Sequence, residues 1–292
     1  MLNLTEFAKK PKLLSDYLPW GFLVAPGIVL NKDGSFLRLL RYRGPDLESA
    51  TQAELIAVTA RINNVLKRFG SGWSLFFEAR RKEASSYPLS DFPDPVSLLV
   101  DEERRKSFEA EAGHFESTYT LALCWLPPAE TQDKAGSYLV ERGDEERGVS
   151  ESRGFEWRDS FVAETERALD LLSTILPEVR FLSDEETLTH LHGQVSNKDH
   201  VVAVPAIPAY LDVLLADTSF TGGMAPKLGD QHLRTLTVLG LPGTTTPGLL
   251  DALNDLAISY TWVTRWIALD RSEAQTLLTR KRRQWFAKRK SV

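Results

Sequence analysis

Asp230 and His232 form the most tempting pair of reactive side chains in this sequence. They close the glycine-bearing loop Gly222-Gly223-Met224-Ala225-Pro226-Lys227-Leu228-Gly229-Asp230-Gln231-His232. A carboxylate and an imidazole facing one cleft can act as general acid and base. The same residues have a plainer use, because aspartate fixes turns through its own backbone and a histidine opening a strand often just donates a hydrogen bond. Loop architecture is the stronger expectation. His190 and His192 lie two apart, which places them on different faces of a helix. Helical metal pairs favour spacings of three or four with a third ligand nearby. His114, His190, His192 and His200 therefore make a weak metal case, and no metal ligand is expected.

Phosphate cradles of the P-loop kind need glycines, then a lysine for the terminal phosphates and a Ser or Thr for magnesium. Gly240-Leu241-Pro242-Gly243-Thr244 has glycines without the lysine, and no Gly-Lys-Ser or Gly-Lys-Thr occurs in the 292 residues. The stretch is expected to be a turn. Asp101, Glu102 and Glu103 beside Arg104 and Arg105 resemble paired acids and bases. On a helix such a run is usually a solvated face with i,i+4 pairs; the alternative is that Glu103 or Arg104 forms an ion pair fixing the proline-rich turn before it. No catalytic and no cofactor-binding residue is expected.

Two segments suit contact with a partner. Arg280, Lys281, Arg282, Arg283, Lys288, Arg289 and Lys290 crowd around Trp285 and Phe286, and interleaved cations and aromatics can engage nucleic acid or anionic lipid. The series Ala274, Leu277, Leu278 and Trp285 also permits an ordinary core-facing helix with basic residues outside. At the other end, residues 1–20 carry Leu13, Leu14, Tyr17, Leu18 and Trp20, with Pro11 and Pro19 breaking any long helix. Such an extended arm docks on its own domain or on another subunit. The candidate contact residues are Leu13, Tyr17, Leu18, Trp20, Arg282, Arg283, Trp285 and Arg289.

Those segments must be carried by a folded body. A net charge of -5 argues against a dedicated nucleic-acid-binding domain. Cys124 is the one cysteine, so neither an intramolecular disulfide nor a thiolate cluster can form, and a reducing cytosolic compartment fits best. The most apolar stretch, 20–30, contains Pro26 and Gly27 and is far short of the ~20 residues that span a bilayer. The chain is expected to be soluble and able to bind a membrane-embedded partner.

Asp33-Gly34 between two β-forming runs, 21–30 and 35–42, signals a hairpin. A helix follows, opened near Asp46-Leu47-Glu48-Ser49, with Leu55, Val58, Ile62, Val65, Leu66 and Phe69 on one face. Then come a strand at 73–79, a helix at 97–110 and a strand at 119–126, an order that favours a sheet with helices on one face. Residues 129–152 lack an apolar period. Beyond them the pattern predicts a helix at 157–176 and a short helix through Leu191 opened by Ser183-x-x-Glu186. Strands are expected at 210–215, 232–239 and 260–269, a helix at 248–256 and a final helix from Glu273. The fold class expected is α+β: two mixed α/β subdomains with sheets covered by helices. Their division is an arm at 1–20, a first subdomain at 21–128, a flexible acidic linker at 129–156 and a second subdomain at 157–292 ending in a basic helix.

Several segments, in order, carry a family resemblance: LPWGFLVAPGIVLNKDGSF, RGPDLESAT, RINNVLKRFGSGWSLFFEARR, YPLSDFPDP, DEERRKSF, HFESTYTLALCWLPP, LLADTSFTGGMAPKLGDQHLRTL, PGLLDALNDL and LTRKRRQWFAKRKSV. Together they resemble the N-terminal region of the TrbE-type conjugal-transfer ATPases, of the CagE/TrbE/VirB family of type IV secretion systems. The resemblance implies a region of a cytoplasmic ATPase subunit, peripherally associated with the inner membrane, at the base of a conjugation apparatus. It further implies that the Walker motifs, ATP and magnesium belong to a RecA-like motor C-terminal to residue 292. None of the motor motifs has a matching position here. The implied role is a non-catalytic scaffold that contacts inner-membrane subunits and other ATPase copies, with anionic lipid or DNA as further partners. Alternatives are a nucleic-acid-binding module using the basic C-terminal helix, or an enzyme using the Asp230/His232 loop.

Overall fold

Strand formation begins where β-formers flank two tight turns. A computed structural model describes residues 13–45, 49–84, 87–110, 113–128, 144–238, 240, 243–246 and 249–289, with backbone alone at 144–153, 251 and 288–289. The run expected as one strand at 21–30 folds back on itself at Pro26-Gly27, where Gly27 adopts a φ of +68°. It gives β1 (Trp20–Ala25) and β2 (Ile28–Asn31). The second turn is the expected hairpin. Asn31 N–H donates to Ser35 O at 2.8 Å, Ser35 N–H donates to Asp33 Oδ1 at 3.0 Å, and β3 (Phe36–Arg43) returns along β2.

Further strands extend this hairpin into the main sheet: β4 (Trp73–Glu83), β5 (Phe115–Trp125), β6 (Glu178–Phe181) and β10 (Tyr260–Ile267). Its seven strands run in the order β1-β2-β3-β5-β4-β10, with β6 also pairing β3. All pairings are antiparallel, and β4 and β5 run together from Trp73↔Trp125 to Glu83↔Phe115. Both are longer than their sequence pattern suggests. Strands β6 and β10 come from beyond residue 157 yet pair with β3 and β4, so the sheet draws on both sides of the 129–156 stretch. A small second sheet joins β7 (Phe220–Thr221), β8 (Lys227–Leu228) and β9 (Gln231–His232).

Helices cover both faces of the large sheet rather than one. Strand β3 shows why its sequence, FLRLLRYR, does not alternate between apolar and polar: a strand buried on both sides needs apolar residues on both. Phe36 and Leu40 face a core built with Leu75, Leu121, Leu123 and Trp125. Over it lie α2 (Gln52–Leu66), through Val65, and α4 (Asp144–Ser173), through Phe161 and Leu172. Leu37 and Leu39 face a second core. Its cover is α5 (Asp184–Val195) through Leu188 and Leu191, α6 (Leu211–Leu214) through Leu211, and Leu18 and Trp20 beside the short α1 (Leu14–Tyr17). Arg38 ties β3 to β6 and α4: its guanidinium lies 3.4 Å from the centre of the Phe181 ring and donates to Thr165 Oγ1 at 2.9 Å.

Local signals place the helices well. Of the six apolar residues expected to face inward, Val65 is buried and Leu55, Val58, Ile62 and Leu66 are half-buried on α2, with Phe69 half-buried just past its end. Its start differs, since 46–48 lie outside the described residues and Thr51 is the N-cap, in a reciprocal box with Glu54. The Ser183/Glu186 box opens α5 as expected. Helices α3 (Pro95–Ala110) and α7 (Arg271–Arg289) also fall where the pattern puts them. Helix α4 begins at Asp144, inside the stretch expected to be loop. Three further expectations are corrected. Residues expected as a strand at 210–215 form α6, the strand at 232–239 ends at His232, and the helix at 248–256 is reduced to a 3-10 turn, Asp251–Leu253.

Candidate functional site

Strand β9 and the turn before it hold Asp230 and His232. Gly229 takes a φ of +58° to make the turn and donates its N–H to Ser219 O at 2.8 Å. His232 is exposed, and among the described residues no hydrogen bond or ion pair joins it to Asp230. The arrangement is that of a turn in a small sheet. Of the glycine stretch at 240–244, residues 241 and 242 lie outside the described residues.

Helix α5 projects two histidines in different directions. His190 faces the sheet, where its Nε2 lies 3.6 Å from Glu78 Oε2, and Gln194 Nε2 donates to both Glu78 oxygens at 2.9 Å. Burial pushes the Glu78 carboxyl up, with Gln194 and Arg80 opposing. Burial, helped by Arg80 and Arg41, lowers His190 to about 4. This polar cluster is enclosed between α5 and β4 and has the character of a structural brace.

A pH dependence follows. An unfolded imidazole titrates near 6.5, so a histidine lowered to about 4 in the fold contributes stability that is fully present above 6.5 and is lost as pH falls towards 4. Glu78, with its affinity for a proton raised by folding, recovers some of that loss. Stability is expected to drop by on the order of 2 kcal/mol across this window. His190→Gln should flatten the drop when urea midpoints are measured against pH. An unchanged slope in the variant would place the titration elsewhere.

His192 points the other way, towards His200 and Asp217. The ligand atoms of these three lie within 4.8 Å of one another. The other two histidines of the expected weak set do not join them: His190 braces Glu78, and His114 Nε2 sits 3.1 Å from Phe108 O with its ring stacked on Phe108. The trio escaped sequence reasoning because its members come from a helix and two loop segments, so no local spacing marks them.

The charged run on α3 is largely a solvated face, with Lys106 pairing Glu103 at 2.9 Å. The proline-rich turn is tied down by a residue other than those expected. Asp101, buried, accepts the Tyr87 hydroxyl at 2.7 Å, in place of an ion pair from Glu103 or Arg104. Val96, Leu99 and Val100 form an exposed apolar stripe on the same helix. Between the sheet and residues 154–158 of α4 lies an apolar cleft of about 150 Å³ lined by Val24, Leu30, Phe36, Trp157 and Arg158 among others. It lacks converging polar groups.

The candidate contact residues divide. Leu18 and Trp20 are buried in the second core, the outcome in which the arm docks on its own domain; Leu13 and Tyr17 remain 67% and 58% exposed. Residues 1–12 lie outside the described residues. On α7, Ala274 and Leu277 are half-buried while Leu278, Trp285 and Phe286 are exposed. Trp285 packs edge-on against Phe286, and the Arg282 guanidinium lies 5.8 Å from the Phe286 ring centre. Arg283 is exposed; Arg289 is described by its backbone alone.

Known proteins supply what this geometry leaves open. Residues 27–133 match the family described as "Type IV secretion system ATPase VirB4/TrbE, N-terminal domain". Over 298 residues the chain is 32% identical to "Conjugal transfer protein TrbE" of Rhizobium radiobacter, a match taking 98% of this chain and 36% of that protein. In Sinorhizobium fredii (strain NBRC 101917 / NGR234) a probable conjugal transfer protein TrbE is described as two separate pieces. The chain is 37% identical to the first of them over 148 residues, taking in 99% of that relative and 49% of this chain. The chain belongs to the TrbE family. Another stretch, 101 residues at 33% identity, matches the second Sinorhizobium piece over 15% of its length. The chain thus spans about a third of the Rhizobium TrbE. The family match begins at the β1–β2 turn and runs past β5, so the TrbE N-terminal domain takes in β2 to β5 of the sheet with α2 and α3. No described helix is long and apolar enough to cross a membrane.

Proposed function

We propose that this chain is the non-catalytic docking region of a conjugal-transfer ATPase. In this reading it holds the motor of the protein against inner-membrane subunits of the secretion apparatus and against other ATPase copies. The observation that supports it most directly is the match to the N-terminal domain of the TrbE ATPases by a sequence without a Gly-Lys-Ser or Gly-Lys-Thr loop. The surface agrees. Helix α7 carries Arg282, Arg283, Trp285 and Phe286 outward, and exposed aromatics beside arginines are the residue types that dominate binding energy at interfaces. ATP and magnesium act in the motor, and the chain itself works in the cytoplasm at the inner membrane.

The test uses the chain of 292 residues as it stands. It should hydrolyse no ATP, and it should co-purify with inner-membrane subunits of its transfer apparatus. Trp285→Ala combined with Arg282→Glu and Arg283→Glu should reduce recovery of those subunits at least about tenfold, the size of effect one strong interface residue carries. ATP turnover by the chain alone, or unchanged recovery with the triple variant, would overturn the reading. DNA binding with a steep salt dependence, lost in the same variant, would favour a nucleic-acid-binding role instead.

A further inference from the structure

We propose that His192, His200 and Asp217 form a binding site for a divalent transition metal, with zinc the best match. The three come together from separate segments: His192 from the last turn of α5, His200 from the chain that leaves that helix, and Asp217 from the turn after α6. Two imidazoles and a carboxylate are a ligand set that suits zinc.

The strongest sign is the state of His192. It is 2% exposed, and its Nε2 has no hydrogen-bond partner. A buried nitrogen without a partner is costly, and such groups call for an explanation. Its nearest polar neighbour is Asp217 Oδ2 at 3.2 Å, yet the two are not aligned for a hydrogen bond. Two ligand atoms around tetrahedral zinc, each ~2.0–2.1 Å from the metal, sit roughly 3.3 Å apart and aim at a common point rather than at each other. The His200 ring centre lies 4.5 Å from that of His192, tilted by 59°, which keeps its ligand nitrogen within 4.8 Å of the other two ligand atoms. His200 and Asp217 are exposed, which leaves a path for the ion and room for a solvent ligand.

The loops that hold the trio are themselves tied together. Ser196 and Thr218 hydroxyls are 3.0 Å apart, and Thr218 Oγ1 donates to Asp217 Oδ1 at 2.9 Å, which fixes the carboxylate. Such outer contacts orient a metal ligand. Lys198 Nζ lies 2.9 Å from Asp217 Oδ2, the oxygen that also faces His192. An ammonium there competes with the cation for one oxygen. Metal entry requires that long, half-exposed side chain to swing aside, so the lysine weakens the site.

Zinc added to the metal-free chain is expected to bind one ion per molecule by calorimetry, and cobalt to give the intense visible absorption of a tetrahedral centre. His200→Ala and Asp217→Asn should each weaken zinc by more than ~100-fold, beyond the loss caused by removing an outer contact. Lys198→Met should tighten zinc by about tenfold, as removal of a competing charge predicts. His200 is exposed, so its variant should fold even where a change at buried His192 does not. His232→Ala should leave binding unchanged. Absence of zinc binding by the parent chain would overturn the site, as would affinity that survives both His200→Ala and Asp217→Asn.

Discussion

Replacing Phe161 with alanine is expected to cost about 4 kcal/mol, the middle of the range for deleting a buried aromatic ring. Phe161 is fully buried, and its ring stacks near Phe36 and Trp73 at 5.5 Å each and near Trp125 at 6.5 Å, with interplanar angles of 25°, 18° and 10°. Those three partners sit on β3, β4 and β5, so this one side chain of α4 touches all three central strands. Truncation removes apolar area and leaves a cavity that rigid aromatic neighbours cannot refill. Urea unfolding followed by tryptophan fluorescence reads the effect directly, because Trp73 and Trp125 line the gap. Phe161→Leu should lose roughly half as much. A loss under ~1.5 kcal/mol for alanine would show that α4 is held mainly by its other residues.

The second large effect concerns a residue with no side chain. Gly72→Ala should destabilise the protein by about 3 kcal/mol, from two sources. Gly72 has a φ of +90°, in the left-handed region, and a Cβ there would lie 2.5 Å from Leu126 O. That oxygen belongs to backbone which cannot retreat, because Leu126 N–H donates to Gly72 O at 2.9 Å and the β4–β5 ladder starts at the next pair. Gly113 separates the sources. Its φ is +91°, but nothing lies within 4 Å of its Cβ position. Gly113→Ala should therefore show the conformational strain alone, ~1 kcal/mol. Equal losses at both glycines, measured by urea midpoint, would remove the steric half of the argument.

These two residues mark what sequence could and could not convey. Helix positions were legible where the signal is local: the apolar stripe of α2, and Ser183 with Glu186 three residues on. The Asp33-Gly34 hairpin was legible for the same reason. The pairing of β10 with β4 was not, because a strand's sequence records its burial and not its neighbour. Strand β3 obscured its own faces by being buried on both. The strand expected at 232–239 had the right alternation and, among the described residues, no partner strand beyond His232; without one, β-propensity does not make a sheet. At the level of sites, the spacing of two put His190 and His192 on different faces of the helix, and they do face Glu78 and Asp217 respectively. The grouping of His192 with His200 and Asp217 depends on a loop returning past α6, which no spacing rule contains.

The junction between β10 and α7 bears on how mechanical load travels. Ala268 N–H donates to Trp73 O at 3.0 Å, Asp270 N–H donates to Ser71 Oγ at 3.2 Å, and Glu273 reaches the same serine. Three residues separate the strand from the helix, and they are pinned to the start of β4. Movement of α7 relative to the sheet therefore has to stretch or break these contacts at the start of β4, where Trp73 packs on Phe161.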